Sequence, residues 1–487
     1  LTHLISISLQ FLKENRQLEK FLIKANKFYI ESEDYFKNSD IFLSSGLSLY
    51  SHLLDFEKQN KIISSILNGP STSKSLRSTS LFQKNYFKDW SQKDHFENAR
   101  INHKYFSKLS VKNINEINYK KNKKIKIGIV SSDFERNHSI TFFIKNTIKY
   151  LDKEKFKISI FSFAKRNYED ESQNELKILS DEWFDLQKLD NQQVINLIQK
   201  NKIYILFDIM GFTNAHRVEI FNSRISPIQV SWLAYCNTLG FETIDFIISD
   251  KNLINKNEEN LYSEKIMYLP NVWSSHCGFN LEREYVGLPF DKGEIFTFGS
   301  LNNFRKISDE TLNTWSVILN NVSNSRLILK SSTFCDSTLL LEKFKKNGVK
   351  NKIEILDKKN FFKKKDHLCL YKKIDLALDT FPYNGVTTTF EALWMNVPTI
   401  VLRGYNFNSR CGESIIKNLG IDYLIASNTK DYIQKAIQLS RDKGKLNKIR
   451  RLIFDTVLST PLFDTQSFAR DFGDCLFEIS NKSNIDI

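Results

Sequence analysis

No Cys-x-x-C pair occurs in this 487-residue chain. Its six cysteines (Cys236, Cys277, Cys335, Cys369, Cys411 and Cys475) are scattered, which argues against a disulfide framework or a zinc site and for a reducing cytosol. No apolar run approaches the length that crosses a bilayer, and no secretory n-region and h-region is present, so no membrane span is expected. Aromatics are missing from the lysine clusters at Lys120, Lys121, Lys123 and Lys124 and at Lys363 to Lys365. Both clusters read as solvated faces, and no nucleic-acid partner is expected. The excess of 70 Lys+Arg over 56 Asp+Glu, a net charge of +14, would suit an acidic partner. Richness in Lys, Asn and Ile explains it equally well as compositional drift. With 41% hydrophobic and 26% charged residues the composition is that of a soluble globular protein, long enough for two or three domains. The chain opens on Leu1 rather than Met, so further N-terminal residues are expected.

What is present changes character along the chain. Up to about Lys112 apolar residues recur at three- and four-residue spacing, predicting helices, with a Ser/Thr-rich loop over Gly69 to Ser80. Phe42, Gly46, Leu49, Ile62 and Pro70 fall near the spacing of one tetratricopeptide repeat, and such a unit must pack on something else. From Lys124 strands alternate with helices: strands at 125–130, 156–163, 203–209, 228–233 and 244–248, helices at 141–151 and 194–199. Asn271 to Gly293 lacks periodicity and separates this unit from a second alternating series. There a strand at 295–298 leads into Asn302, Asn303 and Lys306, and Ser308 caps the next helix with Asp309 and Glu310 in its first turn. Alternation of this kind implies parallel sheets, and two such units imply a cleft between them. Phe463, Phe468, Phe472, Leu476 and Phe477 form an apolar stripe predicting a last helix that packs back on a domain.

The second series centres on Lys373 to Leu402. Ile374, Leu376, Ala377 and Leu378 predict a strand covered on both faces. Phe381 to Gly385 predicts a tight turn, Phe390 to Trp394 a helix, and Thr399 to Leu402 the next strand. Thr387, Thr388 and Thr389 flank the helix start, whose free N–H groups and positive dipole end suit a phosphate. Capping alone would explain an isolated threonine triplet. Asn303 offers an amide and Lys306 a positive charge to a diphosphate beside that helix start, Glu391 could receive ribose hydroxyls, and His367 could cover a base or ribose. No Asp-x-Asp signature of metal-dependent nucleotide-sugar enzymes is present. His276 beside Cys277 is a metal hint without further ligands nearby.

The segments IKIGIVSSDF, SPIQVSWLAYCNTLGFETIDFIISD, FGSLNNFRKISDETLNTW, HLCLYKKIDLALDTFPYNGVTTTFEALWMNVPTIVL and PLFDTQSF together resemble the catalytic region of the O-linked N-acetylglucosamine transferase family, SPINDLY-like proteins included. The resemblance runs from about Lys124 to about Ile479. It implies an α/β fold of GT-B type, two Rossmann-like domains facing a cleft. The division is a degenerate tetratricopeptide-like helical region at 1–118, a first unit at 119–285 and a nucleotide-sugar-binding unit with the C-terminal helix at 286–487. It further implies inverting transfer of a sugar, N-acetylglucosamine, from a UDP-sugar to Ser or Thr of a protein, with no metal and no other cofactor. Asn303, Lys306, Thr387 and Thr388 would hold the diphosphate, Glu391 the ribose and His367 the nucleoside, with Lys306 and His138 at the reacting centre. His138 stands one residue later after Asp133 than in the family pattern, so Asn137 could take its place. Val386, Phe212, Ala234, Cys236 and Asn237 also depart from that pattern. Transfer to Asn, a fucosyl or GDP-linked donor, and a silent nucleotide-sugar-binding protein are the alternatives.

Overall fold

Short apolar runs separated by polar turns pair here as two parallel sheets. The computed structural model describes residues 18–482 except 38, 70–72, 115–116, 118–123, 136–137, 166–169, 214, 293–294, 331–336 and 358–363. Leu1, Pro70, Lys120, Lys121, Lys123, Asn137, Gly293, Cys335, Lys363 and the expected boundary at 118/119 therefore lie outside the described residues.

The first helices are α1 (Leu18–Phe36), α2 (Asp40–His52), α3 (Phe56–Asn68), α4 (Lys74–Lys84) and α5 (Gln92–His103). The loop expected over Gly69 to Ser80 is instead largely α4, capped by Ser73 Oγ accepting from Leu76 N. Ser78 and Ser80 are fully buried, so packing overrides the modest helix propensity of serine. Phe42, Leu49 and Ile62 are buried. Gly46 lets the helices close up: a Cβ there would lie 2.2 Å from Tyr29 Oη and 2.6 Å from Ile62 Cδ1.

The first sheet contains β1 (Ile125–Ser131), β2 (Phe156–Ser162), β3 (Glu182–Asp185), β4 (Ile205–Asp208), β5 (Ile228–Ser231), β6 (Phe246–Asp250) and β7 (Lys265–Leu269). Helices α6 (Ser139–Tyr150), α7 (Glu171–Leu179) and α8 (Asn191–Lys200) connect its first four strands. The second sheet contains β8 (Phe296–Ser300), β9 (Ser325–Lys330), β10 (Lys352–Leu356), β11 (Leu376–Leu378), β12 (Thr399–Leu402) and β13 (Ile425–Ala426). Its helices are α9 (Asp309–Asn321), α10 (Ser337–Lys346), α11 (Lys364–Cys369), α12 (Thr387–Trp394), α13 (Phe407–Leu419), α14 (Thr429–Arg441) and α15 (Lys443–Thr456), followed by α16 (Thr465–Lys482).

Strand order is β3-β2-β1-β4-β5-β6-β7 in one sheet and β10-β9-β8-β11-β12-β13 in the other. The direction of winding reverses between β1 and β4, paired at Val130 and Asp208, and between β8 and β11, paired at Phe298 and Leu376. Ligands of open α/β sheets bind outside the carboxyl strand ends at such reversals. The loops at Asp133, at Asn302 to Lys306 and at Asn384 to Thr388 follow β1, β8 and β11 respectively, so all three stand at these two points. The stripe on α16 packs back on the first sheet: the Phe472 ring lies 4.7 Å from Trp232 and 5.7 Å from Phe207. Among the described residues no helix is long and apolar enough to cross a membrane.

The helical region is tied to the first sheet by buried polar bonds. Gln92 Nε2 donates to Asn237 Oδ1 at 3.0 Å, and Asn237 Nδ2 donates to Asn85 Oδ1 at 3.0 Å. Asn222 Nδ2 donates to Phe106 O at 2.8 Å. The departure at Asn237 therefore serves helix docking. Gly240 has φ +78°, and a Cβ there would lie 2.3 Å from the Ala99 carbonyl carbon on α5. Gly240→Ala meets both a left-handed backbone and unyielding main chain, so it is expected to lower stability by about 1–3 kcal/mol. A urea midpoint equal to that of the wild type would refute the tight docking of α5.

Candidate active site

Lys306 ends a short turn after β8 and reaches across to the turn after β11. Its Nζ donates to Asn384 O at 2.8 Å and lies 4.4 Å from the Tyr383 ring centroid. Burial brings its ammonium down to about 8, opposed by the nearby Asp379 carboxylate. Asp379, 2% exposed, organises that turn: its Oδ1 accepts from Gly385 N at 2.8 Å, Thr380 N at 2.9 Å and Asn302 Nδ2 at 3.2 Å. Burial pushes its carboxyl up to about 7 despite those bonds and Lys306. An aspartate closing the apolar run of β11 was the available signal for this hub; the sequence reading passed over it.

The start of α12 carries no side-chain cap, its N-cap residue being Val386. Its first N–H groups therefore face the cleft with the positive end of the helix dipole. Thr388 Oγ1 donates to Asn302 Oδ1 at 2.8 Å. A Cβ on Gly385 would lie 2.2 Å from Thr388 Oγ1 and 2.7 Å from Asn302 Oδ1, so this turn admits only glycine. Asn303 is exposed, and its Oδ1 accepts from Arg305 N at 3.1 Å.

Across the cleft, His138 occupies the N-cap position of α6 without capping it by its side chain. Its Nε2 is 3.7 Å from Asp133 Oδ1, whose carboxyl burial raises while His138 opposes the rise. His138, Asp133, Asn302, Asn303, Lys306, Thr387 and Thr388 line one cleft of about 810 Å³. Ala234, Cys236 and Val386, three of the departures, line it too. So does Phe82 of α4, which nothing in the sequence pointed to. Phe212 does not line it; it is buried against Tyr235 and His216.

His367 and Glu391 form an adjoining buried cluster. His367 Nε2 and Glu391 Oε2 are 2.9 Å apart, Tyr371 Oη donates to the same oxygen at 3.0 Å, and Lys364 Nζ donates to Oε1. Burial pushes the Glu391 carboxyl up, but His367 and Lys364 outweigh it and hold it well below the usual carboxylate range. Lys364 is a correction to the solvated face expected at Lys363 to Lys365. Its stem turns inward, placing Nζ 5.3 Å from the Phe142 ring and 5.1 Å from Phe279. Tyr371 Oη also donates to Thr388 O at 3.1 Å, which links this cluster to the start of α12. His276 is wholly buried among the Phe142, Phe143, Phe279, Phe390 and Phe463 rings, and burial lowers it to about 3.

Comparison with known proteins gives this geometry a context. Residues 96–277 and 281–472 match glycosyl transferase family 41. A probable UDP-N-acetylglucosamine--peptide N-acetylglucosaminyltransferase SPINDLY from Eustoma exaltatum subsp. russellianum is 31% identical over 351 residues, 71% of this chain and 38% of the relative. The similarly named SEC protein of Arabidopsis thaliana is 28% identical over 377 residues, 74% of this chain and 37% of that protein. The chain thus spans well under half the length of these curated relatives. An O-GlcNAc transferase mutant from Thermobaculum terrenum superposes with a TM-score of 0.83 at 23% identity, covering 94% of this chain and 87% of that one. The facing sheets have the GT-B arrangement. The chain belongs to glycosyl transferase family 41.

Proposed function

We propose that this protein transfers N-acetylglucosamine from UDP-N-acetylglucosamine to a Ser or Thr hydroxyl of a protein, with inversion and without a divalent metal. The observation that carries this reading is the convergence of Lys306 and the uncapped start of α12 on a cleft that His138 faces from the other sheet. The names of the SPINDLY and SEC relatives support the donor and the acceptor class.

The diphosphate lies against the N–H groups of α12 and the Lys306 ammonium, with Asn303 and the Thr387 and Thr388 hydroxyls around it. The nucleoside extends toward His367 and Glu391. Both Glu391 oxygens already accept from Lys364, His367 or Tyr371, but a carboxylate has about four acceptor sites and retains room for a ribose hydroxyl. The acceptor hydroxyl attacks the anomeric carbon opposite the phosphate. As the new C–O bond forms, the bond to the diphosphate breaks and UDP leaves with the electron pair. Lys306 and the helix dipole meet that developing charge. His138 takes the proton, and Asp133 at 3.7 Å stabilises the imidazolium. The scattered cysteines support action in a reducing compartment such as the cytosol.

A thermal-shift series with UDP, UDP-N-acetylglucosamine and GDP, followed by a peptide transfer assay in EDTA, tests this. UDP at one hundred times its Kd is expected to add about 2.7 kcal/mol of stability. Stabilisation by GDP alone would reassign the donor, and no shift with any nucleotide would sink the reading.

A further inference from the structure

Phe82, near the end of α4, and Tyr86, two residues past it, carry the helical region onto both units at once. Phe82 meets Tyr235 of the first unit with ring centroids 6.4 Å apart and Tyr383 of the second at 6.2 Å. Tyr86 lies 4.8 Å from the Tyr383 ring, and the next carbonyl, Phe87 O, accepts from Tyr405 Oη at 3.4 Å. Asn85 fixes this end of α4: its Nδ2 donates to Leu81 O and Phe82 O, both at 3.1 Å, and its Oδ1 accepts from Asn237. The main chain of Tyr383 is held as well, its carbonyl accepting from Thr380 Oγ1 at 2.8 Å. The Tyr383 ring thus sits between a fixed turn and the rings of the helical region, and the Lys306 ammonium lies over it, 4.4 Å from its centroid. A cation at that distance is attracted to the ring face, more strongly where water is partly excluded. Lysine has a flexible stem and three donors. One Lys306 donor is taken by Asn384 O, and the ring limits where the stem can turn the others.

We propose that Tyr383 is a positioning residue that holds the Lys306 ammonium in place for the diphosphate, and that the helical region acts on the donor site by fixing the Tyr383 ring through Phe82 and Tyr86. The role toward a diphosphate rests on the donor reading; the contact between ring and ammonium does not. The ring face favours the ammonium over the neutral amine, so it opposes the burial that brings Lys306 down to about 8. The other titratable groups facing Lys306 are Asp379 at the end of β11, Cys411 on α13 and Cys236 on the loop after β5. Arg305, beside Lys306 in the chain, is within electrostatic reach of the Tyr86 hydroxyl. All four keep their side chains in the variants below, so a change in Lys306 ionisation reports the ring.

Tyr383→Leu removes the ring and Tyr383→Phe keeps it; Tyr86→Leu and Tyr86→Phe do the same one ring further out. UDP is titrated calorimetrically into each from pH 6.5 to about 9.5, with Tyr383→Leu also measured in a Lys306→Met background. Competitive acetylation of the free proteins over the same range, followed by peptide mapping, reads Lys306 ionisation without any nucleotide. Tyr383→Leu is expected to weaken UDP binding about three- to tenfold at neutral pH. It also brings the alkaline decline and the Lys306 acetylation midpoint down by about half a pH unit or more. Tyr383→Phe and Tyr86→Phe follow the wild type, and Tyr86→Leu moves both readings the same way by less. In Lys306→Met, Tyr383→Leu changes UDP affinity no further, whereas a ring that only supports the turn would weaken binding in both backgrounds. Acetylation midpoints that stay at the wild-type value in both leucine variants, or an equal loss of affinity with and without the ammonium, would overturn the proposal. If Tyr383→Leu does not fold, the midpoint of Tyr86→Leu against Tyr86→Phe decides alone. Wild type that ignores UDP overturns the donor reading, and the acetylation midpoints still judge the hold of Tyr383 on Lys306.

Discussion

Lys306→Ala lowers sugar transfer by about 10²–10³-fold, the cost of removing one preorganised group aimed at developing charge. Methionine gives a similar loss, because it keeps the stem and removes only the ammonium. The effect is large since Lys306 is half-buried, held by Asn384 O at 2.8 Å and poised in a cleft where charge is weakly screened. Its free-state value of about 8 adds a pH signature. Below that pH the ammonium is charged and available to the diphosphate; as pH rises through it the charge is lost and UDP affinity falls. Bound diphosphate favours the protonated form, so UDP binding near pH 8 takes up a proton. Lys306→Arg is expected to remove the alkaline decline, because guanidinium stays charged, without restoring full transfer. Calorimetric titration with UDP from pH 6.5 to about 9.5 in two buffers of different ionisation enthalpy reads both effects. Equal UDP affinity in wild type and Lys306→Ala would remove Lys306 from the donor site.

Glu391→Ala lowers stability by about 3–5 kcal/mol, the cost of stranding buried partners of an ion pair. It leaves Lys364, His367 and the Tyr371 hydroxyl without their shared acceptor beneath the start of α12. Glu391→Gln costs less, since an amide oxygen still accepts one bond. The linkage sign follows from the depressed carboxyl. Its contribution is fully present above the ordinary value of 4.5 and is lost as pH falls below that toward the folded-state value. Urea unfolding at pH 7 and across pH 5 to about 3 should therefore show a wild-type decline on acidification that is shallower in Glu391→Gln. A Glu391→Ala midpoint within error of wild type at pH 7 would show that the cluster carries no net stability.

Much of this architecture was readable because its determinants are local. Apolar runs such as Ile125 to Val130 and Leu376 to Leu378 define buried parallel strands, and a Gly-containing turn followed by hydroxyls defines a helix start within four or five residues. The reversals of strand order between β1 and β4 and between β8 and β11, which bring Asp133, Asn303, Lys306 and Thr387 to one cleft, were set instead by pairing of strands far apart in the chain. Elements lacking such a run were missed. The edge strand β3, Glu182–Asp185, is only part-buried, and α4 hides its helical face behind serines.

Tertiary structure alone decided what depends on segments far apart in the chain. Phe82 reaches the cleft only because α4 packs beside Tyr383, with ring centroids 6.2 Å apart. Lys364 turns inward because Glu391 awaits it 27 residues later, and Asn237 is recruited by Gln92 across 145 residues. Helix α13 docks on the first unit because Arg410 meets Glu258 and Ser414 meets Asp250, across 152 and 164 residues. Backbone conformation at a strand end is set by neighbours within a turn or two, so the sequence alone determined the buried strands, the turns that follow them and the start of α12. Burial, ion pairing and contact across the cleft are properties of the folded surface, and they exist only once the two sheets and the helical region have packed.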